Sequence, residues 1–245
     1  MLAVAGLAQE EPVAPPVGEG GPTLRFVNLL AFTDEARILL DGKVALGNTM
    51  SGEISPFEPV APGAHRLEVV PRHGDGKILT ADFSLSPSAK MTLVLTGGPA
   101  TLATTSNLPG SALPLIAPPS STARPHPSAE QHQVTCALWL VNTDLRGLLK
   151  ASLQAGDQSR EVELKPMKTI ALEDWPVVPL NLRVIPEFKS PSGVAVIADL
   201  NLFTPPGPGT FYCILYSKGG ESPVRAFYLP ATNDGELGQQ RDDIR

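Results

Sequence analysis

"HRLEVVPRHGDGKILTADFSLS" (65–86) returns later in the chain as "NLRVIPEFKSPSGVAVIADLNLF" (181–203). Each stretch opens on an apolar run, "LEVVP" or "LRVIP", and closes on an alternating one, "ADFSL" or "ADLNL". In the first, Leu79, Ala81, Phe83 and Leu85 fall on one side and Thr80, Asp82 and Ser84 on the other. In the second, Val196, Ala198, Leu200 and Leu202 oppose Ile197, Asp199 and Asn201. A period of two marks a strand with one buried face, and a slip of one residue would turn the whole set inside out. The same inward parity in two places predicts an internal duplication.

The neighbouring sequence repeats in the same order. "LRFVNLL" (24–30) and "CALWLVNTD" (136–144) share a Val-Asn step, Val27-Asn28 and Val141-Asn142. "ARILLDGKVAL" (36–46) reads as a hairpin turning at Asp41-Gly42, and "LKASLQAGDQSREVEL" (149–164) as one turning at Gly156-Asp157. "ISPFEPVAPGAHRLEVVP" (54–71) is answered by "TIALEDWPVVPLNLRVIP" (169–186), and "KMTLVLTGG" (90–98) by "TFYCILYSKGG" (210–220). Short strands at a spacing of roughly 8–12 residues, without helix signatures, predict an all-β fold. The expected architecture is two tandem antiparallel β-sandwiches, Ig-like or jelly-roll-like, over 22–97 and 134–230.

Residues 98–133 hold seven prolines and almost no charge. That composition predicts a semi-extended linker, or a strap laid across one domain through its apolar "ALPLIAP" (112–118). Residues 1–21, "MLAVAGLAQEEPVAPPVGEGG", carry a short apolar run followed by Gly6 and Ala8 before Gln9. This is the pattern of a signal-peptide end with a disordered leader, so the expected location is periplasmic or secreted. No cysteine stands near that cleavage site, which argues against a lipid anchor. No other run reaches the roughly 18–20 apolar residues of a membrane-spanning helix. The polar tail 231–245 is expected to be disordered.

Composition narrows the function classes. With 245 residues the chain suits two domains, and its 26 prolines and 22 glycines suit many turns. A net charge of −6 without a basic stripe argues against nucleic acid as a partner. His65, His73, His126 and His132 show no metal-ligand spacing. No nucleophile elbow, dinucleotide fingerprint or phosphate loop occurs, and no cofactor is expected. Asp82 and Asp199 are equivalents in separate copies, and Glu173-Asp174 are adjacent, so structural roles are expected for these acids rather than paired catalysis. The chain reads as a non-enzyme.

Two features of the second copy are candidates for function. Cys136 and Cys213 share strand parity with apolar neighbours in the first and last strands. In an exported protein they are a candidate disulfide; the other reading is two buried thiols acting as small hydrophobes. Trp139, Tyr212 and Tyr216 have the opposite parity and would gather on one outward face if those strands are neighbours. That face is either a binding platform or a surface covered by the linker or the other domain.

The run "LRFVNLL…ILLDGKV…ISPFEPVAPGAHRLEVVP" resembles the DUF4397-type β-sandwich domain, in which an "RFVN" strand leads to a "DGK" hairpin and "PG" precedes a strand like "HRLEV". The second copy departs from it, with "AGDQ" in place of "DGK". The layout of two small sandwiches, each opening on a Val-x-Asn-like strand, is also similar to the family of periplasmic alginate O-acetylation proteins; the long proline-rich stretch departs from that family. This resemblance implies a non-catalytic adaptor or polymer-binding role beside a membrane-bound acetyltransferase, with an envelope protein or a polysaccharide as partner. A carbohydrate-binding module using Trp139, Tyr212 and Tyr216 is the alternative.

Overall fold

A computed structural model describes residues 21–30, 35–72, 77–98, 108–117, 135–187, 198–202, 209–217 and 222–231. Residues 1–20 of the expected leader 1–21, residues 232–245 of the expected tail 231–245, and His73, His126 and His132 lie outside the described residues. The chain is all-β. The first copy runs β1 (Thr23–Leu30), β2 (Ala36–Leu40), β3 (Lys43–Thr49), β4 (Glu58–Pro59), β5 (Gly63–Pro71), β6 (Leu79–Leu85), β7 (Lys90–Gly98) and β8 (Leu108–Ile116). The second runs β9 (Thr135–Asn142), β10 (Leu149–Ala155), β11 (Gln158–Leu164), β12 (Lys168–Pro176), β13 (Leu180–Pro186), β14 (Ala198–Leu202), β15 (Thr210–Tyr216) and β16 (Arg225–Pro230).

The strand orders make the duplication explicit. One sheet of the first copy is β4-β1-β7-β8 and the other β3-β2-β5-β6; the second copy has β12-β9-β15-β16 and β11-β10-β13-β14. Adding eight to every strand number of the first copy gives the second. Even the parallel pairs match, β1 with β7 and β9 with β15. Each copy closes its own sandwich. Leu24, Phe26, Ile38, Leu67, Val69, Leu79, Met91 and Leu93 fill the first core, and Leu138, Leu140, Leu149, Leu153, Leu172, Leu182, Val184 and Leu215 the second.

The stretch expected as a linker contains a strand. Residues 108–116 form β8, which pairs antiparallel with β7 from Met91↔Ile116 to Gly98↔Leu108 and is the counterpart of β16. The expected end of the first copy at 97 is thereby corrected. Pro109 and Pro114 concealed it, because a proline removes a ladder donor and reads as a break. An edge strand bonds on one side only, so prolines are admitted there. Leu115 is buried, which is the hydrophobic reason the segment docks.

The shared Val-Asn step has a structural meaning. Asn28 Nδ2 donates to Thr49 O and Oγ1 at the end of β3, and Leu30 N donates to Asn28 Oδ1 at 3.1 Å. Asn142 Nδ2 donates to Leu164 O at the end of β11 at 2.9 Å, and Asp144 N donates to Asn142 Oδ1 at 2.9 Å. In both copies a buried amide ties the end of the first strand to the returning arm of the hairpin. A carboxamide suits the place because it offers donor and acceptor together, and buried polar groups left single are costly.

Candidate functional site

The aromatic face lies in a third apolar layer between the two sandwiches. Val27, Leu29, Val94 and Leu115 of the first copy pack with Val141, Tyr212, Ile214, Leu229 and Ala231 of the second, and Trp139, Tyr216 and Phe227 pack against the group. The molecule is thus four sheets deep, its two inner sheets covered on both sides. That double cover explains why β1 is buried along nearly its whole length, as is β15.

Sequence parity correctly brings Trp139, Tyr212 and Tyr216 to one face, because Trp139 and Tyr212 are register neighbours across β9 and β15. Their rings meet edge-on, 5.9 Å apart at 75°. The face is not open. Tyr212 is 0% exposed, while Trp139 and Tyr216 are half-buried. A flat platform for sugar rings needs exposed faces, so the reading of this cluster as a carbohydrate platform is corrected to one of interdomain packing. Parity says which side of a sheet a residue takes; it does not say what lies against that side.

One charged residue missed by the sequence reading sits here. Arg25 is the β1 counterpart of Trp139 and is buried. Its Nε donates to Thr92 Oγ1 at 2.8 Å, its Nη2 donates across the layer to Pro230 O, and its guanidinium stacks 4.4 Å over the Phe57 ring. Burial lowers its pKa to about 10, opposed by the nearby Tyr212. Burial pushes the Tyr212 phenol up to about 12, with Arg25 pulling the other way. A second crossing bond runs from Thr96 Oγ1 to Thr143 O at 3.1 Å. The alternation "LRFVN" shows Arg25 as a solvent-side polar residue, and only the facing sheet makes it internal.

The cysteines do not form the bridge considered from sequence. Both are buried and free. They do face the same core, but the β9–β15 register sets Cys213 opposite Leu140, four residues along from Cys136. At about 3.3 Å per residue that offset is about 13 Å, well beyond the roughly 4.4–6.8 Å between Cα atoms that a disulfide spans. Parity placed them on one side without giving their offset along the strands. Burial pushes Cys136 up to about 11 and Cys213 up to about 12, the latter opposed by its 3.2 Å hydrogen bond to Tyr228 Oη.

Asp82 and the Glu173-Asp174 pair lie on separate strands, β6 and β12. Asp82 is exposed on the outer face beside Arg66, 3.8 Å away. Glu173 and Asp174 are exposed where β12 bulges between Leu172 and Trp175, with Asp174 at a φ of 54°. His65 closes the end of the first core: Nδ1 bonds Asp41 Oδ2 and Nε2 bonds Ala61 O, each at 2.7 Å. Burial alone would raise the Asp41 carboxyl, but hydrogen bonds from Arg66 N and His65 hold it below the usual carboxylate range. Asp41 and Gly42 both carry positive φ, 51° and 76°, as a type I′ hairpin turn requires. The "DG" read as a turn signal therefore also anchors a buried histidine. Among the described residues no group of three or more His, Cys, Asp or Glu is placed to hold a metal ion.

No family model matches the sequence, and no curated protein matches it. Among solved structures, the NMR structure of a protein from Eubacterium rectale matches with a TM-score of 0.29 and 14% identity, covering 45% of this chain and 100% of that one. A likeness of that size bears on neither fold nor function.

Proposed function

We propose that this chain is a non-catalytic, extracytoplasmic interaction protein of the cell envelope, an adaptor that supports exopolysaccharide O-acetylation of the alginate type by holding a protein partner. The observation that carries this reading is the division of surfaces. The aromatic face is spent on joining the two sandwiches, while among the described residues the edge strand β3 has no neighbour beyond it, with Val44 59% exposed near its start and Met50, just past its end, 52% exposed. An unpaired edge offers a row of backbone donors and acceptors to an incoming strand, and exposed apolar side chains add area to such a contact.

A photo-crosslinking amino acid at Val44, in the cell envelope that produces the protein, tests it. The expected product is an adduct with a component of the acetylation machinery, absent when the crosslinker sits at Glu161 on the charged edge β11. Retardation of the purified protein in gels containing acidic polysaccharide, with no protein adduct, would overturn the adaptor and point to a polysaccharide site away from the Trp139–Tyr212 layer.

A further inference from the structure

The central layer brings together equivalent faces of the two copies, but the side chains on them are unlike. The registers Arg25↔Thr92 and Val27↔Val94 in the first copy correspond to Trp139↔Tyr212 and Val141↔Ile214 in the second. One step further along, Thr96 corresponds to Tyr216. The terminal bonds Ala117 N to Lys90 O and Ala231 N to Thr210 O confirm the alignment at the other end. The layer-facing row of β7 is thus Thr92, Val94 and Thr96, whereas that of β15 is Tyr212, Ile214 and Tyr216. Small β-branched residues stand in one copy where two phenol rings and a larger aliphatic stand in the other.

We infer that these two rows are a size code that makes each inner face fit the unlike copy and reject a second copy of itself. Thr92 and Thr96 are both buried, and Thr96 Oγ1 already lies at hydrogen-bond distance from Thr143 O across the layer. If a second copy-two face took the place of the first copy's face, Tyr212 and Tyr216 would stand where Thr92 and Thr96 now stand. The added rings have no room at a contact already closed, and overpacking a close-packed layer forces side chains and backbone to move. If copy-one faces met each other, Thr92, Val94 and Thr96 would replace Tyr212, Ile214 and Tyr216 and leave the volume of two rings unfilled, which costs packing and transfer energy together. In these two rows only the unlike pairing fills the layer without excess, so they select the other half of the chain rather than their own kind.

The full-length chain provides the test. Thr92→Tyr together with Thr96→Tyr gives the first copy the large row. The expected result is two folded sandwiches that part: unchanged strand signal in circular dichroism, a larger radius of gyration in solution scattering, and red-shifted emission as half-buried Trp139 meets water. Thr96→Val, which removes the crossing hydrogen bond and keeps the volume, is expected to leave scattering and emission unchanged. An unaltered scattering profile in the double tyrosine variant overturns the inference. If that variant loses its strand signal altogether, the exchange of rows decides. Thr92→Tyr, Thr96→Tyr, Tyr212→Thr and Tyr216→Thr combined should recover the compact profile, and failure to do so also overturns it.

Discussion

The two copies meet one topological requirement with different local chemistry. In the first, Asn28 reaches Thr49 at 3.4 and 3.5 Å. In the second, Asn142 reaches Leu164 O at 2.9 Å, and the loop beyond it is braced by the buried Asp144, whose Oδ2 accepts from half-buried Arg146 Nη2 at 2.6 Å, with Arg146 Nη1 donating to Ser222 O at 2.8 Å. Their hairpin edges differ as well. β3, "KVALGNT", has one charge and register irregularities against β2. β11, "QSREVEL", carries Arg160, Glu161 and Glu163 and pairs regularly with β10. Charges guard an exposed edge against an incoming strand, so β11 is protected where β3, with its single lysine, is not. Strand order tolerates these substitutions because it depends on which face is apolar and where the amide sits, while loop braces and edge guards are local and free to diverge.

The largest test of this comparison lies in the cores. Leu67→Ala in the first and Leu182→Ala in the second each empty a fully buried site, and each should cost about 2–5 kcal/mol. Because the central layer joins the halves, both variants should lower one common calorimetric transition. Two separate transitions would break the picture of a coupled pair.

A smaller effect sharpens it. Asn142→Ala leaves Leu164 O and Asp144 N without their partner, and Asn28→Ala does the same at longer distances. Losses of about 1–3 kcal/mol are expected for a buried group left unpaired, with the second-copy variant the worse in urea denaturation. Equal losses would mean that the longer bonds of the first copy are worth as much.

The smallest effect separates the copies by pH, since only the second contains thiols. Burial holds both thiols above their ordinary range, Cys136 at about 11 and Cys213 at about 12. A raised folded pKa contributes stability that is complete below the unfolded value and is lost as pH climbs toward the folded one. Stability should therefore decline above pH about 9 through these groups, and Cys136→Ala with Cys213→Ala should flatten that limb. An alkaline limb unchanged by the double substitution would assign it elsewhere. Tyr212, raised to about 12, acts in the same direction as the thiols, and Arg25, lowered to about 10, in the opposite one.

Much of the fold was legible because period-two patterning reports burial directly. "LTADFSL" alternates in the structure as it does in the sequence, with Leu79 and Leu85 buried and Thr80, Asp82 and Ser84 exposed. The hairpin turns at Asp41-Gly42 and Gly156-Asp157 were legible because positive φ restricts the residues that can serve. β8 was not, because proline content outweighed a short apolar run whose partner strand is chosen only in three dimensions. The fate of the aromatic face was also hidden. Trp139, Tyr212 and Tyr216 announce an apolar surface in the same terms whether sugar, solvent or another sheet lies against it.

By itself, then, the sequence determined the all-β class, the duplication, the faces of the strands and the turn positions. Each rests on interactions between residues close in the chain or on strict alternation along it. Tertiary structure alone decided that β8 completes the first sandwich, that Cys136 and Cys213 lie too far apart to bridge, and that Arg25 is buried against Pro230 of the other copy. Those outcomes depend on register and on sheet-to-sheet packing, which couple residues remote in sequence and leave no periodic trace in either partner.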